Sequence, residues 1–420
     1  MPAPEPRIVV LTTLFPHAGQ PTAGLFIRER MFRVARRVPV TVVAPVPWFP
    51  FQGVLRHWRP HFRPRVAAME TQEGIDVRRP RFLSVPGALK WLDGFFLAAG
   101  CLPTLLRLRR SFAFNVIDAH FAYPEGYAAT LLGRWLRVPV TITLRGTEVP
   151  LARDRRRRRR IISALRRATR IFSVSESLKR HAMSMGVTGD KIIVVGNGVD
   201  TGKFHRLERA AARHRLGLPL AAPVLVSVGA LVERKGFHRV IECLPTLRRS
   251  LPGLRYLVVG GPGPEGDFSA RLRRDVIDLG LQECVAFLGM LAPEDLKVPL
   301  SAADVFVLAT RNEGWANVFL EAMACGLPVV TTDVGGNAEV VANATLGIVV
   351  PFGEPEPLAR AIAESFRRKW DRDAIVAYAE HNSWDRRVST LVEEFAAVVA
   401  RHAGAGAPER APAGKPSLLN

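Results

Sequence analysis

LSAADVFVLATRNEGWANVFLEAMACGLPVVTTDVGGNAEVV, residues 300–341, contains one whole strand–loop–helix–strand unit. Val305–Leu308 and Val329–Thr332 are continuous β-branched and leucine runs, the pattern of parallel strands covered on both faces. Between them a helix starts near Asn317 and stops at Gly326, with Pro328 just beyond. The same alternation runs outward in both directions. Strand-like runs occur at Arg7–Thr12, Val40–Ala44, Val116–Ala119, Val140–Leu144, Arg170–Val174 and Ile192–Val195. Downstream of residue 200 they resume at Val224–Val228, Arg255–Val259 and Val285–Phe287. Helical segments separate many of them, which specifies an α/β chain with parallel sheets.

The alternation pauses once, at the turn chemistry of Gly196-Asn197-Gly198-Val199-Asp200. A domain boundary is expected there. Each half is long enough for its own doubly wound, Rossmann-like sheet. The expected division is 1–200, 201–380, a last helical segment 381–403 and a Gly/Ala/Pro-rich disordered tail 404–420.

Composition narrows the function. The chain has 420 residues, 48% hydrophobic and 23% charged, which is globular. Its four cysteines are scattered without a CxxC pair, so neither a disulfide scaffold nor a zinc ribbon is expected. No cationic leader precedes the short apolar run Ile8–Leu11, and no stretch reaches about 18 apolar residues without a charge or proline. The nearest approach, Gly94–Leu106, contains Pro103. A cytoplasmic chain that does not span a membrane is expected. The formal charge of +21 suits nucleic acid, an anionic membrane surface or a phosphate-rich small molecule. Arginine supplies most of it, so a G+C-rich genome is an equally good source of the general surplus. A local cluster needs more explanation. Arg155–Arg160 are six consecutive arginines leading into Ile161, Ile162 and Leu165. This basic amphipathic pattern suits an anionic bilayer. No aromatic-interleaved nucleic-acid motif accompanies it, and no nucleic acid is expected.

Glu313 and Glu321 bracket the strongest chemical signal. They stand eight residues apart across a loop-to-helix junction, where the free amides of Asn317 and Val318 would point at whatever sits over the helix start, a terminus that attracts phosphate. Two carboxylates so placed can hold sugar hydroxyls on either side of that phosphate. By spacing alone, two solvated glutamates explain the pattern as well. Its neighbour Ala322–Val330 changes the balance.

With that block the sequence resembles the family 4 retaining glycosyltransferases of GT-B fold, especially exopolysaccharide- and teichuronic-acid-type members. The matching pieces are VSVGALVERKGFHRVIE (226–242), LVVGGPGPEG (257–266), VAFLGML (285–291) and residues 300–341. In the first half they are LFPHAGQPTAGLFIRER (14–30), IDAHFAYPEG (117–126), TLRGTE (143–148) and the run 173–204. The resemblance implies two Rossmann-like domains facing across a deep cleft, the first taking the acceptor and the second the nucleotide sugar. It implies that Lys235 binds the donor pyrophosphate, Glu321 the ribose and Glu313 the transferred hexose. The amides around Ala316, Asn317 and Val318 would hold the distal phosphate. His120 would meet the donor sugar near the reacting carbon, and Gly24 would bring a loop backbone close to the phosphates. Arg145, at another strand end, is a candidate for the acceptor or phosphate side. His120 and Arg145 could equally be structural or surface residues by spacing alone.

The chain departs from the family at Ala230, where relatives carry an arginine, and Arg234 is the candidate for the missing charge. It has Trp315-Ala316 where many relatives have Phe-Gly, close to the sugar. The implied reaction moves a hexose from a UDP- or GDP-linked donor to a glycan or lipid-linked oligosaccharide, with no metal and no cofactor. The site of work would be cytoplasmic, peripheral on the inner face of the plasma membrane. The alternative is a catalytically impaired scaffold that binds membrane surfaces or nucleic acid. Three patterns are discounted. Pro262 and Pro264 remove donors from the GxGxxG-like Gly261–Gly266, which weakens a dinucleotide site. Asp371-Arg-Asp373 lies away from any strand end, and Asn343-Ala-Thr345 is a glycosylation sequon by pattern only.

Overall fold

The computed structural model describes residues 5–405, apart from residues 22, 51, 54–56, 58–65 and 264. Pro264 and all but the start of the 404–420 tail therefore lie outside the described residues. The α/β architecture expected from the sequence is present. Strands form at each run named above: β1 (Ile8–Leu11), β2 (Val40–Val43), β7 (Val116–His120), β8 (Val140–Leu144), β9 (Arg170–Ser173) and β10 (Ile192–Val194). The second series is β11 (Val224–Val228), β12 (Arg255–Val259), β13 (Val285–Gly289), β14 (Val305–Leu308) and β15 (Val329–Thr332). Five further strands were not legible: β3 (Val46–Trp48), β4 (Met69–Gln72), β5 (Ile75–Arg78), β6 (Arg81–Leu83) and β16 (Gly347–Val350).

One sheet has the order β10-β9-β8-β7-β1-β2-β5-β4, and another β13-β12-β11-β14-β15-β16. A two-stranded sheet joins β3 and β6. Every pairing in the six-stranded sheet is parallel. In the eight-stranded sheet β1 pairs parallel with both β2 and β7, whereas β4 and β5 are antiparallel. β1, β7, β8, β11, β14 and β15 are buried along their whole length. That explains their unbroken apolar sequences.

Contacts divide the chain into two compact units. Unit 1 comprises 1–142, 159–171 and 390–420, and unit 2 comprises 143–158 and 172–389. In each unit the order of the parallel strands reverses beside a central strand. In unit 1, β1 lies between β2 and β7; in unit 2, β11 lies between β12 and β14. Such a switch point leaves a crevice beyond the carboxyl ends of the two strands, where open α/β sheets take ligands. The loops after β1, β7, β11 and β14 are therefore the ones to inspect, and they carry most of the residues singled out from sequence.

Candidate active site

In unit 2, β11 ends at Val228 and runs through Gly229-Ala230 into a single 3-10 turn, Glu233–Lys235. Gly236 follows with φ 74°, opening the helix Phe237–Ser250. A Cβ there would stand 1.9 Å from the Ala309 carbonyl oxygen, so only glycine lets this turn sit against the end of β14. The loop after β14 brings Glu313 to the same place. Glu313 Oε1 accepts from Lys235 Nζ at 2.5 Å, Arg234 Nη1 at 3.2 Å and Thr310 Oγ1 at 3.3 Å. Arg234 also donates to the Asn312 carbonyl and, through Nε and Nη2, to Glu265. Burial works against the Arg234 charge, but Glu265 and Glu313 outweigh it and hold its pKa above the usual arginine value. The Arg234 hydrogen bond likewise holds Glu265 below the usual carboxylate range.

The helix Asn317–Ala324 begins after Ala316, whose extended backbone supplies no side-chain cap, and no acidic residue lies in its first turn. Its positive end is thus not compensated by a side chain of its own. Glu321 is half-buried one turn further on. Arg145 Nη1 donates to Asn197 Oδ1 at 3.2 Å, and Asn197 Nδ2 donates to Asn317 Oδ1 at 2.8 Å. A short polar chain therefore connects the end of β8 to the start of this helix. Gly314 makes the approach possible, since a Cβ on it would fall 2.5 Å from the Arg145 carbonyl oxygen. The Trp315 ring lies over Gly196 in the same way. Glu148 is buried, accepts from the Gly146 amide at 3.0 Å, and has its pKa pushed up by burial.

In unit 1, His120 is the last residue of β7 and is fully buried. Its Nε2 lies 3.1 Å from Asp118 Oδ2, without the alignment of a good hydrogen bond. Asp118, two residues earlier on the same strand face, accepts from Thr141 Oγ1 at 2.6 Å. Gly24 is left-handed, with φ 70°, at the start of the helix Leu25–Ala35. A Cβ there would lie 2.3 Å from the Leu14 carbonyl oxygen. The loop that carries it is fastened by Glu125, which accepts from both the amide (3.1 Å) and the hydroxyl of Thr13. Burial lifts the Glu125 pKa to about 7, against that opposing hydrogen bonding.

The structure thus brings Arg234, Lys235 and Glu313 into one cluster. It links Arg145 to Asn317, and keeps Ala316, Val318 and Glu321 on the same loop and helix. His120 and Gly24 belong to unit 1. Sequence reasoning missed Asp118, Glu125, Glu148, Asn197, Glu265 and Thr310. The two-residue spacing of Asp118 and His120 on one strand was the one available signal. The discounted patterns have local explanations. Asp371 caps the helix Arg372–His381 by accepting from the Asp373 and Ala374 amides. Asn343 Oδ1 accepts from the Thr345 amide.

Two largely parallel sheets, each with candidate site residues on the loops at its switch point, are the architecture of the GT-B fold. Similarity to known proteins agrees. The Glycosyltransferase Family 4 model matches residues 34–203, and the model for glycosyl transferases group 1 matches residues 208–382. The chain belongs to this glycosyltransferase family. It is similar to the putative teichuronic acid biosynthesis glycosyltransferase TuaC of Bacillus subtilis (strain 168), 27% identical over 86% of this chain and 88% of that protein. It is also similar to the D-inositol 3-phosphate glycosyltransferase of Corynebacterium urealyticum, 35% identical over 53% of this chain. The match spans about half of that relative's length, 55%. Among solved structures, Anabaena Alr3699/HepE in complex with UDP shares the fold with a TM-score of 0.70. It is 20% identical, over 93% of this chain and 100% of that one.

Proposed function

We propose that this glycosyltransferase moves a hexose from a UDP- or GDP-linked donor to a hydroxyl of a glycan or lipid-linked oligosaccharide in cell-surface polysaccharide synthesis. The single observation that carries this reading is the convergence of Lys235 and Arg234 on Glu313, beside an uncapped helix start. A departing nucleoside diphosphate gathers negative charge, and fixed cations and helix amides are the groups that stabilise it. Lys235 takes the pyrophosphate, the amides of Asn317 and Val318 the distal phosphate, and Glu321 the ribose. Arg234 replaces the charge absent at Ala230. The loop that packs on position 230, where a Cβ on Gly263 would lie 2.8 Å from the Ala230 Cβ, also holds Arg234 through Glu265.

The anomeric carbon–phosphate oxygen bond breaks, the acceptor oxygen bonds to the same carbon, and the acceptor proton leaves with the diphosphate. A front-face route of this kind retains the anomeric configuration. His120 and Glu313 orient the sugar, so the chain supplies positioning and charge rather than a nucleophile. Since the positive charge comes from side chains and amides, transfer proceeds without a divalent metal or cofactor. Residues 1–200 take the acceptor and 201–380 the donor.

The test is thermal shift against UDP, GDP, ADP, CDP and NAD, with and without EDTA. One diphosphate that stabilises the wild type and not Glu321→Ala, independently of EDTA, is the expected result. Silence from every diphosphate would favour the impaired scaffold and make Ala230 a lesion.

A further inference from the structure

The helix Asp93–Ser111 is apolar on two sides. Leu97, Ala98, Cys101, Leu105 and Leu108 are buried and face unit 1, where the helix packs against β6 and the helix Tyr127–Leu136. A second stripe follows the spacing 95, 99, 102, 103, 106, one face of a helix. Phe95 and Leu106 are each 48% exposed, and Leu89, just ahead of the helix, is 52% exposed. Together with the preceding 3-10 turn, Lys90–Ser111 is long and apolar enough to cross a membrane by length and composition, yet 33% of its apolar window is buried. It cannot cross without stripping its inner stripe from the unit's core. A helix apolar on both sides, with one side already used, needs an apolar neighbour for the other.

Charge identifies that neighbour. Arg107, Arg109 and Arg110 are exposed at the far end of the helix. At the near end Arg160 lies over the rings of Trp91 (5.7 Å) and Tyr127 (5.1 Å) and donates to the Tyr127 hydroxyl. The arginine run thereby borders the start of the apolar stripe, and Arg155–Arg159 continue the same helix, Arg155–Arg167. The acid at the stripe's start, Asp93, is paired with Lys90 at 3.2 Å. Apolar and aromatic side chains rimmed by arginine are the composition of an interfacial helix on an anionic bilayer.

We propose that unit 1 docks flat on an anionic lipid surface, with the exposed stripe of Asp93–Ser111 entering the headgroup–acyl boundary and the flanking arginines holding lipid phosphates. The helix, about 28 Å long by its 1.5 Å rise per residue, lies in the plane of the bilayer. Its first turn touches the segment just after His120, since the Gly94 amide donates to the Tyr123 hydroxyl and Pro124 lies against Gly94. The lipid surface therefore starts beside the strand end that carries the histidine, where a lipid-linked acceptor would arrive. The docking itself requires no nucleotide and is independent of the transferase reading.

Flotation of the full chain with vesicles tests this without donor or acceptor. Phosphatidylcholine vesicles are compared with vesicles of 30% phosphatidylglycerol, at low and at high salt. Wild type should bind the anionic vesicles at least ~10-fold better, and high salt should weaken binding. Phe95→Ser/Leu106→Ser should lose about tenfold or more, since two apolar side chains no longer insert. Arg155–Arg159→Gln should lose both affinity and salt dependence. Unchanged unfolding midpoints establish that both variants are folded. The proposal is overturned if wild type ignores anionic vesicles, or if the serine variant binds as wild type does. It is equally overturned if the serine substitutions instead dissociate an oligomer, or if RNA is retained in place of vesicles.

Discussion

Glu125→Gln replaces one buried oxygen with nitrogen and deletes a charge. The wild-type carboxyl titrates near 7 in the folded chain against an ordinary value of 4.5. A raised carboxyl pKa means that the folded state holds the proton more tightly than the unfolded state does. The stability this contributes is complete below pH 4.5 and is lost as pH rises through 7. At 1.36 kcal/mol per pH unit the span corresponds to about 3 kcal/mol, of which roughly 2–3 kcal/mol is lost between pH 5 and pH 8. Glutamine keeps an acceptor for the Thr13 amide and does not titrate. The variant should therefore gain on the wild type as pH rises, by several degrees in unfolding midpoint between pH 5 and pH 8. Paired thermal melts at the two pH values are sufficient. The same gap between the variants at both, or a wild type that gains as pH rises, would refute the reasoning.

Three other outcomes are expected. Lys235→Ala should weaken nucleoside-diphosphate binding by about 10- to 100-fold, the range for a charged hydrogen bond; calorimetry with an unchanged Kd would remove lysine from the site. Glu313→Gln frees Lys235 and Arg234 from a competing carboxylate, so diphosphate binding should hold or tighten while transfer falls about 100-fold. Parallel losses in Kd and kcat would contradict that. Gly24→Ala meets both the left-handed backbone and the Leu14 carbonyl, and should cost at least about 2 kcal/mol in the stability of unit 1. A melting temperature equal to wild type would show that the loop relaxes freely.

The strands that were legible are the ones buried on both faces, because burial forces a continuous apolar run. β4 and β5 were not, since neither has a continuous apolar run: β4 alternates exposed and half-buried residues, and in β5 only Val77 is fully buried. Their turn, Glu73-Gly74, takes positive φ at both residues, the geometry of a tight hairpin, but a lone Glu-Gly is too common to mark it. The site divides in the same way. Lys235, Glu313 and Glu321 could be singled out as candidates because they sit in distinctive local runs. Asn197 was not, since its role depends on Asn317, 120 residues away. Glu265 also gains its meaning only from folding, which places it on Arg234. The Gly-Pro loop, discounted as a phosphate cradle because Pro262 and Pro264 lack amide donors, supplies a carboxylate to a cation in the fold.

The pairing of Lys235 and Arg234 with Glu313 and Glu265 bears on ionic strength. Two cations and two carboxylates sum to no formal charge, so the resting cluster gathers few counterions. A diphosphate that displaces carboxylates rather than dissolved anions releases few small ions on binding. Its affinity should therefore change little with salt, by the logic that makes multi-ion displacement steep. Arg155, Arg156, Arg158 and Arg159 are exposed on one helix, and their attraction to a charged surface should fall quickly once the screening length drops below about 10 Å. Salt would thus separate two grips of the same molecule: one on its substrate, which persists, and one on its surroundings, which lets go.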